Sequence, residues 1–161
     1  MSTARCRTAL LALAVASMSW SAGAQTAEGL VIQRNGTPGA PFSSSIWVGD
    51  LLYVSGMLPE ATTGDTRTQT TSTLAAIRKV LQSQGLDLAD VIQMHVYLVG
   101  DPAQGGKMDF AGMNAAYLEH FGTSAQPNRP VRSTVQVAGL ARPGALVEIE
   151  VVAARSKAAK P

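Results

Sequence analysis

At 161 residues the chain has room for one domain built on one core. Its 13 Lys+Arg stand against 11 Asp+Glu, and setting aside Arg5 and Arg7 near the N-terminus leaves 11 against 11, which argues against the basic footprint of a nucleic-acid partner. The single cysteine, Cys6, lies in the same N-terminal stretch, so the rest of the chain holds no disulfide and no cysteine metal site.

Residues 1–24 read as a signal peptide. Arg5 and Arg7 form its basic start, residues 8–17 (TALLALAVAS) its apolar stretch, and Ala22-Gly23-Ala24 an A-x-A cleavage signal with Gln25 as the first mature residue. The apolar stretch is too short to span a bilayer. The expectation is a secreted, periplasmic protein with one domain over residues 25–161 and no membrane segment after cleavage. Residues 155–161 (RSKAAKP) read as a small, polar, flexible tail.

Residues 30–33 read as a short strand, followed by a loop at 35–40 (NGTPGA). Residues 44–48 and 51–55 are two short strands around Gly49-Asp50, a hairpin turn. Residues 57–65, with Pro59 and Gly64, form an irregular connection. The spacing of Leu74, Ile77 and Leu81, with Val80 beside them, predicts a helix over 68–84, and Gly85 is its natural stop. Residues 91–99 (VIQMHVYLV) alternate as a strand, with Met94, Val96 and Leu98 on one face and Gln93, His95 and Tyr97 on the other. A glycine-containing loop at 102–107 leads to a second helix over 108–121, which carries Phe110, Met113, Tyr117 and Phe121 in register and ends at Gly122.

Residues 130–134, continuing to 137, and residues 146–153 are the last two strands. Arg132, Thr134 and Gln136 share one face of the first, and Glu148 and Glu150 share one face of the second. Ser133, Val135, Val137 and Val147, Ile149, Val151 are then expected to face the core. An arginine and a glutamate projected from adjacent strands suggest a pocket that holds a carboxylate and manages a water. A face carrying Arg132, Gln136, Glu148 and Glu150 cannot be a dry core, so it is solvated or lines a polar site. The order β-β-β-α-β-α-β-β predicts an α+β fold, a mixed β-sheet with two helices packed on one face.

Ordered segments at 39–45 (GAPFSSS), 48–59 (VGDLLYVSGMLP), 74–85, 90–99, 109–122 (DFAGMNAAYLEHFG), 130–137 and 144–153 (GALVEIEVVA) cover most of the chain after the leader. In these the chain resembles the Rid (YjgF-type, reactive intermediate deaminase) family. The resemblance implies a chorismate-mutase-like fold and a homotrimer, with helices outside a central barrel and sites in clefts between subunits. It implies a hydrolytic deaminase that converts small 2-imino or enamine carboxylic acids, such as 2-aminoacrylate, to 2-keto acids and ammonia, with no metal or organic cofactor. The alternative is a non-catalytic protein that binds small carboxylates. Carried over by position, the family's substrate-gripping arginine falls on Arg132 and its carboxylate near the reacting carbon on Glu148. Its cleft asparagine falls on Asn114 and its Ser-Gly pair on Ser55-Gly56. Phe42 stands where the family has a tyrosine, Thr134 where the deaminase branch often has cysteine, and Met57 where a glutamine is common. The loop at 100–107 is longer than in the deaminase branch.

Each of these residues has a plainer reading. Arg132 grips a carboxylate bidentately, or it forms a structural salt bridge with Glu148 or Glu150. Glu148 directs water or relays a proton to departing ammonia, or it is an ion-pair member. Glu150, further along its strand, reads as structural. Ser55 and Asn114 hydrogen-bond a ligand, or they are a strand-end cap and a helix-surface amide. Gly56 offers its N–H to a ligand carboxylate, or it is a turn glycine. Phe42 supplies an apolar wall, or it packs. His95 and His120 lie on different elements without metal-ligand spacing, so no metal site is expected. Gly105-Gly106 reads as a short flexible loop without a phosphate-binding pattern.

Overall fold

Alternating strands and glycine-stopped helices assemble in a computed structural model that describes residues 29–156. The signal peptide expected at 1–24 lies outside the described residues. The strands are β1 (Ile32–Asn35), β2 (Ser45–Val48), β3 (Leu51–Met57), β4 (Val91–Val99), β5 (Val131–Val137) and β6 (Val147–Ala154). The helices are α1 (Thr66–Ser83) and α2 (Phe110–Leu118). The strands form one sheet in the order β1-β2-β3-β6-β4-β5. All pairings are antiparallel except β4 with β5. Both helices pack on one face, so the α+β architecture and the order of elements agree with the reading of the sequence.

α1 starts two residues earlier than its apolar stripe suggests, because the Asp65 carboxylate caps it by accepting the Thr68 N–H at 2.8 Å. It ends in a Schellman turn. Gly85 at φ 76° lets the Leu86 N–H reach the Leu81 carbonyl at 2.9 Å and its own N–H reach Gln82 at 3.1 Å. Leu74, Ile77 and Leu81 are completely buried against Met94, Val96 and Leu98 of β4 and Val147, Ile149 and Val151 of β6. Truncating any of the three α1 residues to alanine costs about 2–5 kcal/mol.

A second stripe on α1 is polar and also buried: Thr66, Gln69, Thr70 and Thr73. The hydroxyls of Thr70 and Thr73 donate back to the carbonyls of Thr66 (2.7 Å) and Gln69 (2.9 Å). The Gln69 amide accepts the Leu146 N–H at 2.8 Å and donates to the carbonyls of Thr62 and Gly144, each at 3.2 Å. It staples the loop entering β6 to the helix. Gln69→Ala orphans these buried backbone groups, so a stability loss of about 2–4 kcal/mol is expected. Urea denaturation should show a lower midpoint at unchanged slope. A midpoint equal to wild type would mean that water replaces the staple.

The faces of β5 correct the reading made from alternation. β4 lies between β5 and β6, so the arginine and glutamate strands are not adjacent. The parallel register pairs Met94 with Arg132 and Val96 with Thr134, and paired residues of a parallel ladder point the same way. Arg132, Thr134 and Gln136 therefore lie on the helix-bearing side. Val135, expected in the core with Ser133 and Val137, is 48% exposed on the open side, and Val131 on the same face is 70% exposed. Glu148 pairs with Tyr97 and Glu150 with His95, on that same open side. The physical reason is α2, which supplies a carbonyl acceptor and an aromatic face to the arginine and so partly shields it on the side where alternation alone predicts polar exposure.

Candidate functional site

Arg132 is placed by β5 and shaped by α2. Its Nη2 donates to Asn114 Oδ1 at 2.9 Å, and its Nη1 contacts Met113 Sδ at 3.9 Å. Its guanidinium carbon stands 4.2 Å from the Tyr117 ring centroid and 5.8 Å from that of Phe110. Tyr117 is in turn stacked on Phe121, with centroids 4.7 Å apart and planes 15° from parallel. These contacts hold the planar fork from one side. Arg132 forms no salt bridge with Glu148, Glu150 or any other carboxylate of the described residues. Of the five N–H donors of a guanidinium, most are left for a guest. Burial raises the pKa of the Tyr117 hydroxyl, while Arg132 and Arg129 pull it down.

The second group of residues lies on the open side of the sheet. Glu148 of β6 lies against Gly56 of β3 so closely that a Cβ on Gly56 would stand 2.0 Å from Glu148 Oε1. Gly56 is a strand residue beside a β3–β6 irregularity, not a turn glycine, and its bare Cα makes room for the carboxylate. Glu148 accepts no hydrogen bond from a side chain of the described residues, whereas Glu150 is committed. His95 Nδ1 meets Glu150 Oε1 at 2.7 Å, and the Tyr97 hydroxyl donates to the same oxygen at 3.1 Å. Partial desolvation, that hydrogen bond and the charges of Glu150 and Glu148 raise the pKa of Tyr97 above its ordinary value. Gln93 Nε2 lies 2.9 Å from His95 Nε2. Glu150 is therefore paired, and His95 is a partnered strand-face histidine.

The remaining predicted residues divide between these two groups. Asn114 belongs with Arg132, so it is neither a surface amide nor free for a ligand on that oxygen. Ser55 is adjacent to Gly56 and donates its hydroxyl to the Ser43 carbonyl at 2.7 Å, the strand-end role. Phe42 follows the same loop and is 68% exposed, unpacked within this chain. Thr134 sits two residues beyond Arg132, with its hydroxyl oxygen sealed from solvent and unpartnered. The structure thus brings Arg132, Asn114 and Thr134 together beneath α2, and Glu148, Gly56 and Ser55 together on the other side. It does not bring the two groups to each other within one chain.

Phe110, Met113 and Tyr117 are members of the arginine site that periodicity assigned to the core alone. The signal for them was present, since Phe110 and Tyr117 lie four and three residues from Asn114, and Met113 lies three and four residues from Phe110 and Tyr117. No group of three or more His, Cys, Asp or Glu among the described residues could hold a metal ion. No helix among them is long and apolar enough to cross a membrane.

Residues 33–155 match the family model described as Endoribonuclease L-PSP. The chain is 36% identical over 131 residues to the 3-aminoacrylate deaminase RutC of Acinetobacter baylyi, covering 76% of this chain and 95% of that one. Among solved structures it is similar to a YjgF-family member from Neisseria meningitidis, with 32% identity and a TM-score of 0.64 over 80% of this chain and 98% of that one. It is also similar to TdcF of E. coli with bound serine, with 28% identity and a TM-score of 0.63 over 79% and 98% of the two chains.

Proposed function

This chain belongs to the Endoribonuclease L-PSP family, and on that premise we propose that it is a hydrolytic deaminase of small 2-imino or enamine carboxylic acids, releasing a 2-keto acid and ammonia. The carrying observation is an aromatic-backed guanidinium, Arg132, with no carboxylate of the described residues paired to it. Such a fork, desolvated on one side and open on the other, is built for an anion from outside the chain. Two relatives support a small carboxylate guest: one is named for deamination of 3-aminoacrylate, an enamine carboxylate, and the other holds serine.

In the proposed mechanism Arg132 grips the substrate carboxylate and fixes its plane. The imine carbon is electrophilic, and Glu148 takes a proton from the water that attacks it. Starting from the protonated imine, this gives a carbinolamine; the same carboxyl returns its proton to the nitrogen, the carbon–nitrogen bond breaks and ammonia leaves, and the remaining hydroxyl proton passes to Glu148 and on to the departing ammonia, so the carbonyl forms. Because Arg132 and Glu148 stand on opposite sides of one sheet, the site is completed by a second copy, in a homotrimer whose clefts take one group from each neighbour. No metal or organic cofactor enters these steps. The even charge balance argues against RNA as the partner, whatever the family's description.

The test is ammonia release from 2-imino acids generated in situ by an amino-acid oxidase, compared between wild type and Arg132→Ala. Phe42, which brings no hydroxyl to the cleft, favours a second reading in which the carboxylate is bound but not turned over. Arg132-dependent binding of 2-ketobutyrate without ammonia release would establish it.

We further propose that the protein works outside the cytoplasm, on the strength of the leader at 1–24. Protein recovered from a periplasmic fraction should begin at Gln25. A mature protein that retains Met1 and stays in the cytoplasm would refute export.

A further inference from the structure

We propose that Gln136 is a specificity-determining residue that shuts the seam between α2 and β5 and confines the guest of Arg132 to short side chains. The inference rests on the carboxylate-binding reading and names the size class of its guest. Gln136 lies on the same face of β5 as Arg132 and Thr134. Its Oε1 accepts the Met108 N–H at 2.9 Å, at the lead-in to α2, and its Nε2 donates to the Gly106 carbonyl at 3.1 Å. The loop it grips is closed on itself. The Asp101 N–H donates to the Lys107 carbonyl at 2.9 Å, and the Asp101 carboxylate accepts the Ala103 N–H at 2.8 Å. The Gly106 carbonyl packs so near Gly100 that a Cβ there would lie 2.2 Å from it.

α2 is thus held to β5 at two places, by Arg132 through Asn114 and by Gln136 at the lead-in. Thr134 lies between them. Its hydroxyl oxygen is out of solvent and has no hydrogen-bond partner among the described residues. A guest anchored on Arg132 therefore meets a closed wall along β5 rather than a channel. Gln136 does not touch the guest; it sets the space the guest is given.

Calorimetric titration of wild type, Gln136→Ala, Gln136→Glu and Arg132→Ala with 2-ketobutyrate and with phenylpyruvate tests this. Wild type should prefer 2-ketobutyrate. Gln136→Ala should raise the phenylpyruvate-to-2-ketobutyrate affinity ratio by about fivefold or more. Gln136→Glu, which keeps the acceptor for Met108 and loses the donor to Gly106, should move the ratio less. An unchanged ratio in Gln136→Ala overturns the inference, even where both guests weaken together. Loss of both guests in Arg132→Ala shows that the underlying reading stands. Wild-type binding in Arg132→Ala would bring down that reading and this one with it, a result distinct from an unchanged ratio.

Discussion

Arg132→Ala is expected to lower kcat/KM for imino-acid hydrolysis by about 10²- to 10³-fold, equivalent to about 3–4 kcal/mol of lost transition-state binding. The size follows from what the guanidinium offers. Two charge-assisted hydrogen bonds to a carboxylate contribute about 1.5–2 kcal/mol each in a site shielded from water. The fold should survive the change, because Arg132 neutralises no carboxylate of the described residues and its removal strands only the Asn114 carbonyl oxygen, which water can reach. Arg132→Lys should recover part of the loss, since it restores the charge but not the fork. Equal rates of ammonia release in wild type and Arg132→Ala would end the deaminase reading.

The second large effect is a recovery. Arg132→Ala and Glu148→Ala are each expected to be nearly inactive, yet co-expressing or co-refolding them in equal amounts should restore about a quarter of wild-type activity. Arg132 emerges beneath α2 while Glu148 lies over Gly56 on the far side of the same sheet, with β4 between their strands. Neither can cross to the other, so under the proposed mechanism a working cleft takes the arginine of one copy and the glutamate of its neighbour. Random mixing gives each cleft two independent draws, and one combination in about four carries both intact groups. The assay is ammonia release from the purified mixture. Activity no greater than the sum of the separate variants would mean that the two groups do not meet between copies. Light scattering on the same sample then reports whether the assembly exists at all.

Much of the fold was legible in the chain because its signals are local. The Leu74–Ile77–Leu81 stripe, the Gly85 stop and the Gly49-Asp50 hairpin each lie within a few residues of what they specify. The side of β5 was not legible in this way. Val131 to Val137 alternates small apolar and polar residues, and either face could be buried until its neighbour is known. That choice was made by β4 pairing in parallel and by α2 placing Asn114 and Tyr117 over the arginine, both decisions taken far along the chain. The buried polar stripe of α1 was hidden for a related reason. A run such as Thr-Gln-Thr-Thr reads as solvated unless one knows that Gln69 finds backbone partners in the connection before α1 and in the distant loop that enters β6. The residues proposed for the candidate site were named from order and type alone. What the sequence could not show was their division into two groups on opposite sides of the sheet.

The position of β5 carries one more consequence. It is an outermost strand, with one row of backbone donors and acceptors unclaimed by the described residues, and its Val131 and Val135 side chains are exposed on the open face. An outermost strand with exposed valines invites indiscriminate strand addition. If the proposed assembly covers this border, a newly made copy is at greatest risk before it assembles, and loss of protein on dilution, more than on heating, is the expected result.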